Sequence, residues 1–202
     1  MFAIVEAAGW PIWLLIISSV VAVALIAERL IFLRYKTIAP AGLLDEVMHE
    51  LKQHGTNEEM LARLSANSPL GRVFAAGLKN IKSSAEVMKD SIEEAGRAAT
   101  HEMERFLTTL GTIASISPLL GLFGTVVGMI EIFGAQNAVG NTPALLAHGI
   151  SVALYNTALG LIVAVPSMIF YRHFRAKVDS LTIEMEQQAV KLVEIVHGAR
   201  RK

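Results

Sequence analysis

The chain has 202 residues, 53% hydrophobic and 18% charged, with 18 lysines and arginines balancing 18 aspartates and glutamates. The apolar excess points to the membrane class and the length to one domain. There is no cysteine, which excludes disulfide scaffolds, thiol catalysis and Cys-ligated zinc. The six histidines are scattered, and His49 and His54 do not share a helix face, so no metal site and no cofactor is expected.

Ala7 to Ala27 is uncharged for 21 residues, and ~20 apolar residues cross a bilayer core. Trp10 and Trp13 mark its outer end, because tryptophan favours the membrane interface. A cleaved signal peptide would need a basic start and a shorter apolar segment. Here Glu6 is the only early charge, and Arg29, Arg34 and Lys36 follow the segment. The pattern predicts a short N-terminal stretch, 1–9, and a retained transmembrane helix over 10–32.

Residues 36–105 read as helices. Leu43, Leu44, Val47, Met48 and Leu51 fall at helical spacing before Gly55. Thr56 with Glu59 forms a capping-box pattern for a helix ending near Asn67. Ser68-Pro69 offers a cap followed by proline at the first helical position, opening a helix through Val73, Phe74 and Leu78. Ser83 with Glu86 is a further capping box. From Ala85 no strong stop precedes Gln136, which predicts one helix of ~50 residues and ~75 Å. Gly96 and Pro118 would bend it without ending it.

Its membrane portion is placed at 106–135. Phe106 to Ile130 is an uncharged run of 25 residues, too apolar for a soluble core of this size. Gly121, Thr125 and Gly128, and Gly124 with Gly128, form small-residue faces. In lipid, helices associate through close backbone approach along such faces. Gln136-Asn-Ala-Val-Gly-Asn-Thr-Pro143 is polar and turn-rich, giving an outer loop at 136–148. A third span follows at 149–171, with Ala153, Thr157, Gly160 and Ala164 on one small face and Pro166 as a second bend. It continues inward over 172–202, where Val178, Leu181, Met185, Leu192 and Ile195 make an apolar seam interrupted by Gln188. That seam needs a partner, either residues 36–105 of the same chain or a neighbouring subunit. The fold class is therefore all-α, with three transmembrane helices, two of them extending into a helical cytoplasmic domain.

No lysine or arginine lies in 1–9 or 132–148. The positive-inside rule puts 36–105 and the C-terminus in the cytoplasm, and the N-terminus and the 136–148 loop outside.

No nucleophile–base set, phosphate loop or catalytic carboxylate pair can be assembled. Gly121-Leu-Phe-Gly124-Thr125 lacks the lysine and the strand-to-helix context of a phosphate loop. An enzyme is not expected, nor is nucleic-acid binding, since no basic stripe with interleaved aromatics is present. What remains is polarity inside the membrane. Thr125 and Thr157 lie at one depth, roughly 12–14 Å below the outer boundary. They either line a lumen or bond to the carbonyl four residues back and permit tight packing; spacing alone favours packing. Glu131 and Glu28 adjoin the spans at their ends, where interfacial water can solvate them. Ser151 and Asn156 could donate hydrogen bonds between subunits, and spacing does not decide this.

Ser117-Pro-Leu-Leu-Gly-Leu-Phe-Gly-Thr-Val-Val-Gly-Met-Ile-Glu-Ile-Phe133 resembles the first signature of the ExbB/TolQ/MotA proton-channel family. Gly149-Ile-Ser-Val-Ala-Leu-Tyr-Asn-Thr-Ala-Leu-Gly-Leu-Ile-Val-Ala-Val-Pro166, with Tyr171, resembles its second. Three spans are most similar to ExbB, with TolQ next. The resemblance implies an inner-membrane homopentamer around single helices of an ExbD/TolR-like partner, using proton flow to energise TonB or TolA. It also implies that Thr125 and Thr157 face the pore, reversing the preference for packing. Val152 departs from the glutamate of many members, so that glutamate's role does not carry over; Asn156 and Arg172 differ as well. A threonine hydroxyl does not titrate near neutral pH, so a proton route would need an intramembrane acid from the partner. The reading of another class is a non-conducting oligomeric scaffold in the lipid.

The topology is testable on this cysteine-free background. Single cysteines at 60 and 190 should resist an impermeant thiol reagent in intact spheroplasts while one at 140 reacts. The reverse pattern would sink the orientation.

Overall fold

The computed structural model describes residues 9–139 and 143–198. The regular structure of these residues is helical throughout. The chain divides into an apolar unit, Met1–Glu28 with Phe106–His173, and a charged unit, Arg29–Arg105 with Phe174–Lys202.

Three helices are long and apolar enough to cross a membrane. They run over Pro11–Phe32, Ala85–Gly134 and Gly149–Val196, and their apolar parts fall on α1 (Pro11–Phe32), α7 (Leu107–Val139) and α8 (Pro143–Val196), of which α1 and α8 continue into the charged unit. On α7 the buried positions are Leu107, Leu110, Ala114, Ser117, Gly121 and Gly124. On the outer part of α8 they include Ala153, Asn156, Gly160, Val163 and Ser167. Both sets step by three and four in alternation, the spacing that keeps one seam of a helix against a neighbour. Leu119, Leu122, Val126, Leu161, Ile162 and Ile169 point away from the seam and are exposed, as lipid-facing residues should be. In this unit helix α1 buries Pro11, Ile12, Leu15 and Ala22. Trp10 meets Phe123 edge to face at 5.8 Å between centroids.

The charged unit contains α2 (Tyr35–Ile38), α3 (Leu43–His54), α4 (Glu58–Asn67), α5 (Pro69–Lys79), α6 (Ala85–Glu104) and the inner part of α8. Its core is α5, whose Leu70, Val73, Phe74 and Leu78 are buried with Met60 and Leu64 of α4 and Met88 of α6. Two glycines on α5 allow this closeness: a Cβ at Gly71 would lie 2.2 Å from the Leu64 carbonyl oxygen, and one at Gly77 2.7 Å from Ile92 Cδ1. The inner part of α8 buries Phe174, Val178, Leu181, Met185, Ala189, Leu192 and Val193. Thr182 lies 3.3 Å from Thr100 of α6, hydroxyl to hydroxyl. Tyr35 faces Glu184, and desolvation followed by a hydrogen bond to that carboxylate raises its phenol above the ordinary 10.0. The α8 seam thus packs on residues 36–105 of its own chain. Ile195, expected on it, is exposed instead, because stepping through Ala189 to Leu192 and Val193 rotates the buried stripe past it.

Ser68 accepts the Gly71 amide at 3.0 Å, with Pro69 opening α5 as expected. The other two caps fall one residue later than their sequence patterns suggest. Asn57, not Thr56, caps α4 by accepting the Met60 amide at 2.6 Å; asparagine is the stronger capping residue. Ser84, not Ser83, accepts the Val87 amide at 3.4 Å, since Ser83 is committed to a turn through its amide and the Asn80 carbonyl.

The expected continuous helix from Ala85 to Gln136 is interrupted. Helix α6 stops at Glu104 and α7 starts at Leu107. Arg105 is extended (φ −50°, ψ 136°), and Phe106 has φ +66°. For a residue with a side chain that left-handed conformation costs about 1–2 kcal/mol. Neither glycine nor proline announces the break, and tertiary contacts converge on the residues before it. Arg29, 2% exposed, donates from Nη1 to the Met103 carbonyl at 3.0 Å and more weakly to that of Glu102 at 3.4 Å. Its guanidinium also lies 4.7 Å from the centroid of the Phe32 ring. Arg72 pairs with the Glu102 carboxylate, and Arg175 with that of Glu104 at 2.7 Å. At the other end, α7 runs to Val139 and α8 begins at Pro143, so most of the expected 136–148 loop is helical. Gln136 and Asn137 are tolerated in a last turn and Pro143 suits a first helical position; residues 140–142 lie outside the described ones.

The caps predict a ranking. Ser68→Ala should lower stability by about 1 kcal/mol, because it removes a buried cap. Ser84→Ala, at a long and exposed contact, should change it by less than half as much. Thermal midpoints of the two purified variants check this.

Candidate functional site

The α7–α8 seam is built on glycine. A Cβ placed on Gly121 would lie 2.7 Å from the Asn156 carbonyl oxygen and 3.0 Å from Thr157 Cα. One placed on Gly160 would lie 2.6 Å from the Ser117 carbonyl oxygen and 3.1 Å from Gly121 Cα. These are backbone-to-backbone contacts that no side chain can enter without moving a helix. Gly124 receives the Asn156 side chain, at 2.7 Å from its hypothetical Cβ, and Gly128 receives Ala153 at 3.2 Å. Further along, Gly111 faces the Tyr171 ring and Gly149 faces Ile132. Ala164 is buried beside Val163. Gly121, Gly124, Gly128, Ala153 and Gly160 thus make their close contacts within one chain.

This closeness sets Thr125 against Thr157, with their Oγ1 atoms 2.9 Å apart. Thr125 Oγ1 also lies 3.1 Å from the Gly121 carbonyl oxygen and 2.9 Å from that of Leu122. Each hydroxyl has one proton to give and two lone pairs. When Thr125 donates to its own helix, Thr157 donates to Thr125; when Thr125 donates to Thr157, its own helix loses that bond. The bond back to the helix is the one the packing reading expects, and the bond across joins the two threonines of the same chain. Thr125 also borders an open depression of about 460 Å³ shared with Val126, Met129, Ile130 and Phe133.

Three polar side chains on the seam were not singled out as packing residues by sequence. Ser117 is fully buried and donates to the Ile113 carbonyl at 2.7 Å; Ser167, 1% exposed, donates to that of Val163 at 2.7 Å. Each neighbours a proline, Pro118 or Pro166, through which its helix continues. Asn156 is fully buried against Gly124 of its own chain, which removes it from the surface where it could donate to another subunit. Ser151 is exposed. The usable signal was the alternation of three- and four-residue steps, on which Ser117, Asn156 and Ser167 all fall.

No carboxylate occurs from 106 to 130 or from 132 to 171. Glu131, between those stretches, is exposed, and Val152 is half-buried on α8. Among the described residues no group of three or more histidines and acids could hold a metal ion.

Fold and site together define a multi-pass helical membrane protein with an acid-free polar pair at a helix contact. Residues 65–187 match the MotA/TolQ/ExbB proton channel family. The biopolymer transport protein exbB1 of Vibrio cholerae is 34% identical over 167 residues, spanning 79% of this chain and 72% of that one. An ExbB-like protein, ExbB-like 3, of Synechocystis sp. is 32% identical over 162 residues, 78% of this chain and 77% of the relative. The Tol-Pal system protein TolQ of Pseudomonas aeruginosa is 29% identical over 184 residues, 83% and 80% of the two chains. The chain belongs to the MotA/TolQ/ExbB proton channel family.

The seam predicts unequal tolerance among its glycines. Gly160→Ala should destabilise the purified protein by about 1–3 kcal/mol through overpacking. Gly134→Ala, where nothing lies within 4 Å, should be neutral or stabilising. Equal thermal midpoints would show that the backbone contact carries no weight.

Proposed function

We propose that the chain is the multi-span subunit of an inner-membrane proton channel and motor, with Thr125 and Thr157 on the proton route. The observation that carries this reading is the 2.9 Å hydroxyl pair in a span region without acids. Two hydroxyls in contact can pass a hydrogen-bond orientation from one to the other, and neither holds a charge. The titrating group then belongs to a partner, an ExbD/TolR-like single-span protein with one intramembrane acid. The depression beside Thr125 offers apolar walls to a partner helix and one hydroxyl to its acid. The family resemblance supports five copies of this chain around that partner. Charge segregation supports an N-terminus in the periplasm and a C-terminus in the cytoplasm.

The subunit would couple the proton motive force to TonB-dependent outer-membrane transport, without catalytic chemistry of its own. The relatives named ExbB support the TonB assignment. The similarity to TolQ keeps a second reading in play, a subunit of the Tol-Pal envelope system driving TolA.

Valine keeps the shape of threonine and removes the hydroxyl. Thr125→Val and Thr157→Val should leave assembly intact and reduce proton flux in vesicles containing the partner, on the order of tenfold if one hydrogen-bonded step of about 1.4 kcal/mol is lost. The double variant should be no worse than the more impaired single one, since both serve a single pathway. Full flux and full TonB- or Tol-dependent function in an assembled double variant would leave a packing role only, that of a non-conducting scaffold.

A further inference from the structure

The interruption between α6 and α7 sets sequence against structure. No residue from 104 to 107 is glycine or proline, and the apolar phase continues across the break. Ala99, Met103, Leu107, Leu110 and Ala114 are all buried, at steps of four, four, three and four. On an uninterrupted helix these five would fall within one narrow stripe. Local sequence and burial pattern are thus both compatible with a continuous helix. The chain instead places Phe106 at φ +66°, a conformation that persists only where its surroundings impose it. A buried feature directed at the backbone of the break is the Arg29 guanidinium. It donates to the carbonyls of Met103 and Glu102, which in a continuous helix would accept from the amides of Leu107 and Phe106.

We propose that Arg29 is the latch of a two-state helix joint. While Arg29 holds these carbonyls, α6 and α7 are separate helices; when it lets go, residues 104–107 become helical and the two join. Arg29 sits in the last turn of α1, and the carbonyls belong to α6. Separation of these two ends is therefore the event that releases the joint. Arg29 is a positioning residue: its argued role is exerted on backbone groups, outside any proton route.

Amide hydrogen exchange reads the two states with opposite signs. In the latched form the Leu110 amide bonds to the Phe106 carbonyl at 3.0 Å. The amides of Leu107, Thr108 and Thr109 precede that first bond of α7. In the joined form they bond to the carbonyls of Met103, Glu104 and Arg105. The experiment uses the full-length protein in lipid nanodiscs. Arg29→Leu should slow exchange at 107–109, whereas loss of a merely structural cap would speed exchange there and along the last turn of α6. Two substitutions at the half-exposed Phe106 test the joint without touching Arg29. Glycine tolerates the left-handed state, and alanine favours the joined helix. Phe106→Gly should therefore exchange faster at 107–109 than Phe106→Ala, by roughly tenfold. Adding Phe106→Gly to Arg29→Leu should restore fast exchange. Faster exchange in Arg29→Leu, or equal exchange in Phe106→Gly and Phe106→Ala, would overturn the proposal.

Discussion

Everything in the apolar unit depends on how near α7 can come to α8, and Gly121 and Gly160 set that distance. Lipid tails are as apolar as leucine, so burying leucine between two spans gains little over leaving it in the bilayer. Dispersion and backbone proximity must do the holding, and both need the absence of a Cβ where the axes pass closest. The threonine pair follows from this. With larger residues at 121 and 160 the helices would stand apart, and the two hydroxyls would each turn back to their own carbonyls. A packing feature thereby fixes a polar one, and the order of dependence runs from glycine to threonine.

The charged unit rests on a different balance. The last turn of α6 carries Glu102 and Glu104 at the negative end of its own dipole, an arrangement unfavourable in isolation. Three arginines, from α1, α5 and α8, answer it. Arg72 and Arg175 are 42% and 51% exposed, and ion pairs that wet contribute about 0–1 kcal/mol each. Arg29 differs in kind. A buried guanidinium is costly unless its donors are met, and here the Met103 and Glu102 carbonyls at the end of a helix meet part of the need. The helix end and the buried charge each supply what the other lacks.

Much of this was legible in the amino-acid order. Three uncharged runs, the glycine spacings around 121–128 and the Ser68-Pro69 start are local signals, and local physics decides them. The helix break at Arg105–Phe106 was not legible, because no residue at the break signals it and the arginine bonded to the carbonyls before it lies more than 70 positions away. The shift of caps to Asn57 and Ser84 shows the same limit on a smaller scale, where two neighbouring residues can both cap and the turn before them chooses. On α8, the small face was read as Ala153, Thr157, Gly160 and Ala164, whereas the buried stripe also takes in Asn156, Val163 and Ser167 and leaves Thr157 half-buried. Asn156, whose polarity argued against burial, is fully buried because Gly124 makes room for it. Thr125 and Thr157 were matched in depth by counting residues, yet counting could not say that they touch.

The seam between α7 and α8 has a consequence as an insulator. Ser117, Gly121, Asn156 and Gly160 are fully shielded along it, and both seam serines direct their protons into their own helices. A water wire threading between the two helices would have to displace backbone from backbone. At Gly121 and Gly160 the helix pair leaves no space between its backbones. In the function proposed above, a conducted proton would travel along the flank of the helix pair, where Thr125 borders open space, and another molecule on that flank would close the circuit.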